Sequence, residues 1–478
     1  MRDRVFFYNP PWQTRKLHPL NDTLTLLRSA AILLLIATPP AVAAEFLWLS
    51  DIHFDPLADS ALVDNLAAAE PAEWAVILAG GSTKFPVYGR DTSWPLLASV
   101  LQASTKTQPN TAFTLVTGDL LVHHFREQFN AAATVHDDEA FRNFVRKTVE
   151  FVGLQLKQRS PGTPVFITLG NNDDECGDYA VQPDGPFLHD TAKVVGNLAG
   201  LANTDSYVHY GSYSLANPAV EHQRIIVLNT VFFSPRYTDR CGQGAGDAGE
   251  KLLAWLASEL ESAKSQHEKV WLVYHIPPGV DAFATAHAKA PGTLTLLWKE
   301  SYTNKFLSLL EQYSAAVGPS FAGHVHVDDF RLLGGSLKTS PFVIIGPAVS
   351  PITGQNPTFR TVSFDAHGKL KDEATYYLKN LTEAGKDTLP VWQLEYDFEK
   401  EWRLKGLNAQ TYSSLFERIE NSTETSARWS ILYSTSHPAS SNAPDSFRLL
   451  YCAAGGVTAQ AYQSCVARKE TKHGKTAD

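Results

Sequence analysis

Short apolar runs separated by amphipathic stretches organise the chain from residue 45 to about residue 365. Seven of these runs are rich in β-branched or aromatic residues, which predicts buried strands; they lie at 45–50, 112–117, 164–170, 224–230, 269–275, 320–324 and 341–346. Between several of them, apolar residues recur with the period of a helix, at 138–157, 249–264 and 302–316. Strand and helix in alternation predict an α/β fold in which sheets are buried between helices.

The pattern changes after this region. Stretches 409–422 and 426–435 have the apolar spacing of helices, and a loop that contains Ser and Pro follows them. We therefore expect a larger α/β domain over 45–365, which would carry the active site, and a smaller, mainly helical subdomain over 366–478.

The N-terminal 44 residues have the order of segments found in secretory signal peptides. Arg28 precedes the apolar run 30–38, a Pro pair follows, and the small residues of 41–44 suit a cleavage site. The apolar run has nine residues, whereas a membrane-spanning helix needs about 20. The sequence therefore predicts a signal peptide over 1–44 and an exported protein without a transmembrane anchor, which would be secreted or, in a bacterium, periplasmic.

Charge and cysteine content restrict the kind of protein further. The net charge is −9, which argues against nonspecific nucleic-acid binding because that depends on clustered Lys and Arg. Four cysteines in an exported chain predict two disulfides, with three possible pairings. They are Cys176, Cys241, Cys452 and Cys465. The sequons at Asn380 and Asn421 predict glycosylation if the protein passes through a eukaryotic secretory pathway.

Polar side chains that can bind metal ions follow five of the predicted strands. They are Asp51 with His53, Asp119, Asn171, His275, and His324 with His326. In α/β folds the carboxyl ends of the strands form the ligand-binding edge, so these side chains can converge. Each motif alone is weak, and the Gly, Asn and Asp residues around Asn171 also suit an ordinary turn. Five motifs at the same structural position favour a single site.

The donor set is larger than one metal ion needs. Four imidazoles, two carboxylates and one amide oxygen exceed the four ligands of a tetrahedral zinc ion. They suit two ions about 3.5–4 Å apart that share a carboxylate, as in two-metal phosphoesterases. The mixture of nitrogen and oxygen donors fits Zn, Mn or Fe better than Ca or Mg, and we predict two divalent metal ions, with zinc as their identity.

The same motifs resemble those of the calcineurin-like metallophosphoesterase superfamily. The stretches "SDIHFDP", "HIPPG", "FAGHVHVDDF" and "NPTFR" are similar to the acid sphingomyelinases and acid sphingomyelinase-like phosphodiesterases, and the resemblance covers most of 45–478. It implies the αββα sandwich of the superfamily, in which two sheets are flanked by helices. It also implies a disulfide between Cys452 and Cys465.

The resemblance further implies a role for each metal-binding residue. One ion would be held by Asp51, His53 and His326. The other ion would be held by Asn171, His275 and His324. Asp119 would bridge the two ions. The neighbouring Asp173, Asp174 and Asp178 would be turn, supporting or solvated groups, and the polar loop 176–190 would border the active site.

One position departs from the family pattern. Relatives commonly have Gly-Asn-His after the third of these strands, with the His near the phosphate, and here Asn172 stands in its place. An amide donates hydrogen bonds but does not titrate near neutral pH. We therefore predict that His123 protonates the leaving group, that Asn172 supplies a hydrogen bond at the catalytic centre, and that His124 is a bystander. The alternative for His123 is a supporting or surface histidine.

Together these features predict a secreted phosphodiesterase that cleaves phosphodiester or phosphoanhydride bonds by attack of a metal-bridging hydroxide. The substrate would be a phosphodiester, a nucleotide or a lipid headgroup, bound by a monomer. The segment before Asp51 has no room for the saposin-like domain of full-length acid sphingomyelinase, which argues against sphingomyelin itself. The alternatives are a polyphosphatase or acid phosphomonoesterase that uses the same site, and an inactive exported binding protein, although no predicted ligand is missing.

Overall fold

In the computed structural model, apolar runs form strands, and the amphipathic stretches between them form helices. The structure describes residues 44–239, 241, 246–289, 292–334, 341–437 and 447–468. The predicted signal peptide lies outside the described residues except for Ala44, which begins the first strand. Within these ranges, no helix combines the length and the apolar character that crossing a membrane requires.

The strands form two six-stranded sheets. In chain order they are β1 Ala44–Leu49, β2 Thr114–Val116, β3 Val165–Ile167, β4 Tyr213–Ala216, β5 Gln223–Leu228, β6 Lys269–Tyr274, β7 Val317–Ala322, β8 Asp329–Leu332, β9 Phe342–Ile345, β10 Thr358–Phe364, β11 Leu370–Leu378 and β12 Trp392–Asp397. The first sheet has the order β12-β11-β10-β1-β2-β3, and the second has the order β4-β5-β6-β7-β9-β8.

Each sheet has a parallel part, to which antiparallel strands are added. In the first sheet β1, β2 and β3 are parallel, and β10, β11 and β12 follow as antiparallel neighbours. In the second sheet β5, β6, β7 and β9 are parallel, whereas β4 and β8 pair antiparallel at the two edges. The parallel parts bring successive strand ends to one edge of each sheet, which is where ligands bind in such folds.

Aromatic side chains fill the space between the two sheets. Phe46 of β1 stacks on Phe113 with ring centroids 4.8 Å apart, and it meets the edge of Phe321 of β7 at 5.4 Å. Trp271 of β6 lies 5.6 Å from Phe321 and 5.9 Å from Phe46. Because these rings come from both sheets, the sheets pack face to face around a shared core.

Helices cover the outer faces. They are α1 Val63–Ala68, α2 Trp74–Ala79, α3 Trp94–Thr107, α4 Phe125–Ala132, α5 Asp138–Arg159, α6 Pro186–Ala199, α7 Asp205–Tyr210, α8 Ala248–Ser265, α9 Ala282–Ala286, α10 Glu300–Gln312, α11 Phe398–Trp402, α12 Ala409–Asn421, α13 Thr423–Tyr433, α14 Phe447–Gly455 and α15 Ala459–Ala467. Phe306 of α10 packs against Tyr274 of β6, with ring centroids 6.1 Å apart. The predicted α/β sandwich is therefore confirmed.

Residues after 365 contribute to both layers. Strands β11 and β12 extend the first sheet, and Tyr412 of α12 packs against Phe330 of β8 and Phe342 of β9, each with ring centroids 5.1 Å apart. The predicted helices at 409–422 and 426–435 are present as α12 and α13. The region is helical beyond β12, and the division into domains at residue 365 stays a prediction.

The four cysteines form two disulfides, Cys176–Cys241 and Cys452–Cys465. The second is the pair that the family resemblance implied. It joins α14 to α15, whereas the first joins two loops, one after β3 and one before α8.

Candidate metal centre

The loops that follow the parallel strands of the two sheets are joined by backbone hydrogen bonds. In the first sheet, His53 N donates to Asp119 O at 2.8 Å, and in the second, Gly323 N donates to His275 O at 2.9 Å. Across the two sheets, the backbone N–H of His324 donates to the Asp51 carboxylate, 3.0 Å from Oδ1. These contacts bring the strand ends of both sheets to one place.

Unusual backbone conformations direct the side chains inward. Five predicted ligands have a positive φ: Asp51 (49°), His53 (42°), Asp119 (53°), His324 (73°) and His326 (59°). A positive φ is uncommon outside glycine and is found where surrounding structure stabilises it, often at functional sites. The sharp turn after each strand therefore points these groups into the centre rather than along the chain.

Three glycines leave room for the ligands. A Cβ on Gly118 would lie 2.7 Å from His275 Nδ1, and a Cβ on Gly170 or Gly323 would collide with Asp119 or with Ser50 and Asp51. Gly118 also has a φ of +90°, which a larger residue rarely adopts. The glycines of the motifs are therefore required by the close approach of the ligand side chains.

The first group of ligands consists of two carboxylates and two imidazoles, all buried. It comprises Asp51, His53, Asp119 and His326. The Nε2 atoms of His53 and His326 are 3.2 Å apart. His326 Nε2 is 3.2 Å from Asp51 Oδ1, and His53 Nε2 is 3.4 Å from Asp119 Oδ2.

The second group shares Asp119 with the first. It adds His275 and His324, and Asn171 lies beside them. His275 Nε2 is 3.2 Å from Asp119 Oδ2, 3.2 Å from Asn171 Oδ1 and 3.2 Å from His324 Nδ1. The structure thus brings all seven predicted ligands, hereafter the rim, to one site, with one carboxylate common to both groups.

The spacing of the rim atoms fits metal ions. Two ligands bound to zinc at about 2.0–2.1 Å with a tetrahedral angle are about 3.3 Å apart, which matches these separations. The ring nitrogens of His53 and His326 are 3.2 Å apart, and so are those of His275 and His324. Such short separations are expected where the lone pairs of both nitrogens point at one cation. The rim is therefore a buried Asp/His cluster able to hold two metal ions.

Backbone carbonyls fix the tautomers of two rim histidines. His275 Nδ1 donates to Thr117 O at 2.6 Å, and His53 Nδ1 donates to Leu121 O at 3.0 Å. A neutral imidazole that donates through Nδ1 presents the lone pair of Nε2. In the neutral form, both rings would therefore direct an electron pair at the centre.

The electrostatics of the carboxylates favour a bound cation. Burial raises the pKa of Asp51, but the His326 and His275 imidazoles outweigh it and lower the pKa to about 2. Burial also raises the pKa of Asp119, but His275 and His53 outweigh this effect and hold the pKa well below its ordinary value. Both carboxyl groups are therefore ionised, and two buried negative charges require positive charge nearby.

The imidazoles divide into two kinds. Burial lowers the pKa of His53 to about 4 and that of His324 to about 3, helped by His123 and by His275 respectively. Burial also lowers the pKa of His275, but Asp119 outweighs this effect and raises the pKa to about 9. His53 and His324 are thus neutral, which is the form that binds metal, while His275 supplies a proton that a metal ion would replace.

His123 lies beside the rim in the arrangement of an acid–base group. Its ring stacks on His53 with centroids 4.1 Å apart, and its Nδ1 is 3.0 Å from Asp91 Oδ1. Burial lowers the pKa of His123, but the hydrogen bond and the charge of Asp91 outweigh burial and raise it. His123 and His124 both line a cavity of about 390 Å³ that opens over the rim.

Asn172 contacts the shared carboxylate. Its backbone N–H donates to Asp119 Oδ1 at 2.9 Å, and its side-chain amide donates to Oδ2 at 3.0 Å. Asp173 is fully buried and accepts from the backbone N–H groups of Leu120, Leu121 and Gly170. Asp173 therefore supports the turns that carry Asp119 and Asn171, as the sequence led us to expect of this group.

Several residues at the site had no motif in the sequence. Asp91 holds His123, Asp178 accepts from Asn171 Nδ2 at 2.8 Å, and Tyr179 and Arg236 line the cavity over the rim. The prediction that loop 176–190 borders the site pointed towards Asp178 and Tyr179. For Asp91 and Arg236, which reach the site from distant parts of the chain, the sequence offered no signal.

Comparison with known proteins agrees with this geometry. Residues 44–328 match the family model of the calcineurin-like phosphoesterases. The chain is 26% identical to acid sphingomyelinase-like phosphodiesterase 3b of Homo sapiens, over 89% of this chain and 90% of the relative. It is 24% identical to sphingomyelinase phosphodiesterase D of Dictyostelium discoideum (82% and 88% covered) and 25% identical to human cyclic GMP-AMP phosphodiesterase SMPDL3A (80% and 80%).

The family model covers more than half of the chain, and all seven rim residues lie within the matched range. The predicted family and enzyme class are confirmed. The chain belongs to the calcineurin-like phosphoesterase family, in the branch of the acid sphingomyelinase-like phosphodiesterases, and is a metal-dependent hydrolase of phosphodiester bonds.

Proposed function

We propose that the protein is an exported phosphodiesterase whose rim binds two divalent metal ions, with zinc as their identity. Asp51, His53 and His326 would hold one ion. Asn171, His275 and His324 would hold the other, and Asp119 would be shared by both. The observation that carries this proposal is that Asp119 belongs to both groups of buried metal-binding side chains.

The residues around the rim bind the phosphoryl group and orient it. Bound ions at this position lower the pKa of water and neutralise charge on the phosphoryl oxygens. Asn172 fixes the orientation of the Asp119 carboxylate through two hydrogen bonds. The cavity of about 390 Å³ over the rim receives the phosphodiester group.

His123 is the proton donor to the leaving oxygen. Asp91 raises the pKa of the imidazole and accepts the hydrogen from Nδ1, so Nε2 of the protonated ring is the atom that carries the transferable proton. General acid catalysis of this kind contributes typically about 10²–10⁴-fold in rate. Asp91 is thus a positioning residue, because it acts through His123.

The substrate class is a phosphodiester of a nucleotide or of a lipid headgroup. The relatives described above are named for sphingomyelin-related and cyclic GMP-AMP substrates, and these share a phosphodiester bond. Two disulfides support export, since such bonds persist in oxidising compartments. The signal peptide over 1–44, the domain boundary at 365, a monomeric state and glycosylation at Asn380 and Asn421 belong to the same proposal.

The test is hydrolysis of bis-p-nitrophenyl phosphate compared with p-nitrophenyl phosphate, first with zinc supplied and then after chelation. We expect a strong preference for the diester that chelation abolishes and zinc restores. Preference for the monoester would place the protein with the phosphomonoesterases. No turnover of either compound or of polyphosphate by a protein that holds two ions would overturn the proposal in favour of an inactive binding protein.

A further inference from the structure

The cavity has a second group of lining residues, which adjoins the rim. It is formed by Asp178, Tyr179 and Arg236, hereafter the wall, and all three line the cavity together with His324. Tyr179 is 4% exposed. Its hydroxyl is 3.3 Å from His324 Nε2 and 3.4 Å from Arg236 Nη1. A phenol is thus held between a rim histidine and a guanidinium.

Arg236 is fixed by two contacts. Its guanidinium carbon lies 4.3 Å above the centre of the Tyr179 ring, and its Nη2 donates to Asp178 Oδ2 at 3.1 Å. The other oxygen of Asp178 accepts from the amide of Asn171. The wall is therefore connected to the rim at two points, Asn171 and His324.

The chain holds Tyr179 in place by its backbone as well. Tyr179 N donates to Asn171 O at 2.8 Å, and Thr238 N donates to Tyr179 O at 3.0 Å. The Cys176–Cys241 disulfide joins the same two loops. Tyr179 has a φ of 58°, a conformation rare for an aromatic residue that persists where structure on both sides stabilises it.

The polarity of the hydrogen bonds follows from the chemistry of the partners. His324 directs Nδ1 towards His275 and the centre, so a neutral, metal-binding His324 carries its proton on Nε2 and donates it to Tyr179. Arg236 can only donate. A hydroxyl has two acceptor lone pairs and one proton, so with both lone pairs occupied the proton of Tyr179 must be donated elsewhere.

The cavity is the remaining direction for that proton. A tyrosine hydroxyl has an ordinary pKa of about 10, so it stays protonated in the neutral range. The amide of Asn172, in contrast, is already committed to Asp119. A phosphoryl oxygen on this side of the cavity therefore meets the Tyr179 hydroxyl as its donor.

We propose that Tyr179, held by Arg236, is a further catalytic residue that donates a hydrogen bond to a nonbridging oxygen of the phosphoryl group. The proton stays on Tyr179 throughout, and charge that develops on that oxygen strengthens the bond. The inference rests on the proposed function, because it requires a phosphodiester bound over the rim.

The test is Tyr179→Phe, which removes only the hydroxyl. Loss of a hydrogen bond to a charged group lowers kcat/KM about 10- to 100-fold, and we expect this loss for bis-p-nitrophenyl phosphate. Binding of inorganic phosphate, measured by calorimetry on the zinc-loaded protein, should weaken as well, while two ions per chain remain. The matched control is Tyr237→Phe, whose buried hydroxyl has no partner among the described residues and should behave as wild type.

Arg236→Met tests the link between the two wall residues without disturbing a buried side chain, since Arg236 is 66% exposed. We expect a loss in kcat/KM, and the double variant should lose little more than Tyr179→Phe alone. Wild-type kcat/KM and phosphate affinity in Tyr179→Phe would overturn the inference, as would loss of metal ions in that variant. Absence of diester turnover in the wild type itself would instead overturn the proposed function.

Discussion

The rim and the wall enclose the same cavity, but they are built in different ways. Each rim residue follows the end of a parallel strand, and glycines at three of these strand ends leave room for the ligand side chains. The wall comes from two loops 57 positions apart at Tyr179 and Arg236, joined by a disulfide and by backbone hydrogen bonds. The sheets therefore position the rim, whereas cross-linking between loops positions the wall.

This difference separates the chemistry into two layers. Groups that hold metal ions need fixed distances, and rigid strand ends supply them. Groups that contact the substrate differ between enzymes that share a fold, because loops tolerate change. We therefore expect rim variants to lose metal ions, and the wall variants Tyr179→Phe and Arg236→Met to keep them.

The largest effect should come from Asp119→Asn. Asp119 is the one carboxylate common to both groups, so its replacement should weaken the binding of both ions. Without the ions, the protein would lose both the activation of water and the neutralisation of phosphoryl charge. We expect kcat/KM for bis-p-nitrophenyl phosphate to fall more than about 10³-fold, above the 10²–10³-fold loss for one hydrogen-bond donor. Metal content by mass spectrometry should drop below two ions per chain.

The control for this variant is Asp184→Asn, which makes the same change at an exposed carboxylate paired with His209. It should keep both ions and full activity. An Asp119→Asn protein that retained two ions would break the comparison, because the rim would then not depend on its shared carboxylate.

A smaller, selective effect is expected for His123→Ala. A general acid matters most when the leaving group is a poor one, so an alkyl phosphodiester should lose about 10²-fold or more, and bis-p-nitrophenyl phosphate should lose much less. Metal content should stay at two ions, as for Tyr179→Phe. His124→Asn is the matched control, because Asn tolerates the positive φ of 53° at this position. Equal losses on both substrates would contradict the assignment of His123 as proton donor.

The same contrast explains how far the sequence could predict the molecule. The buried strands and the rim were visible because apolar runs end at short motifs with metal-binding side chains. Strands β11 and β12 were not visible in the sequence, since they alternate charged with apolar residues and lie at or next to the edge of the sheet. The wall depends on which cysteines pair, and a count of four leaves Cys176–Cys241 as one possibility among several.

Asp178→Ala sharpens the comparison, because Asp178 is the wall residue that contacts the Asn171 amide. Removing a group that orients a metal ligand weakens metal affinity about 10- to 100-fold. We expect the low end of that range here, since Asp178 is 43% exposed and the ligand it orients is neutral. Chelator competition should release one ion before the other. Asp184→Ala, in the same loop, should leave both affinities unchanged.

Among these variants, Asp91→Asn should change the rate at the optimum pH least. Its main effect should be a shift of the pH profile. Asp91 raises the pKa of His123 against the opposing effect of burial. His123 donates a proton only when it is protonated, so activity on an alkyl phosphodiester falls as the pH rises through that pKa. Removing the charge of Asp91 lowers the pKa, and the falling limb therefore moves to lower pH.

Asparagine can still accept the backbone hydrogen bond that His123 N now makes to Asp91 Oδ2 at 3.2 Å, so the geometry is largely kept while the charge is lost. The limb for bis-p-nitrophenyl phosphate should move less, because p-nitrophenolate leaves with little need of a proton. A limb at the same pH in both proteins would mean that the titrating group is not His123. It would then be another group at the site, and not the Tyr179 hydroxyl, which does not titrate near neutral pH.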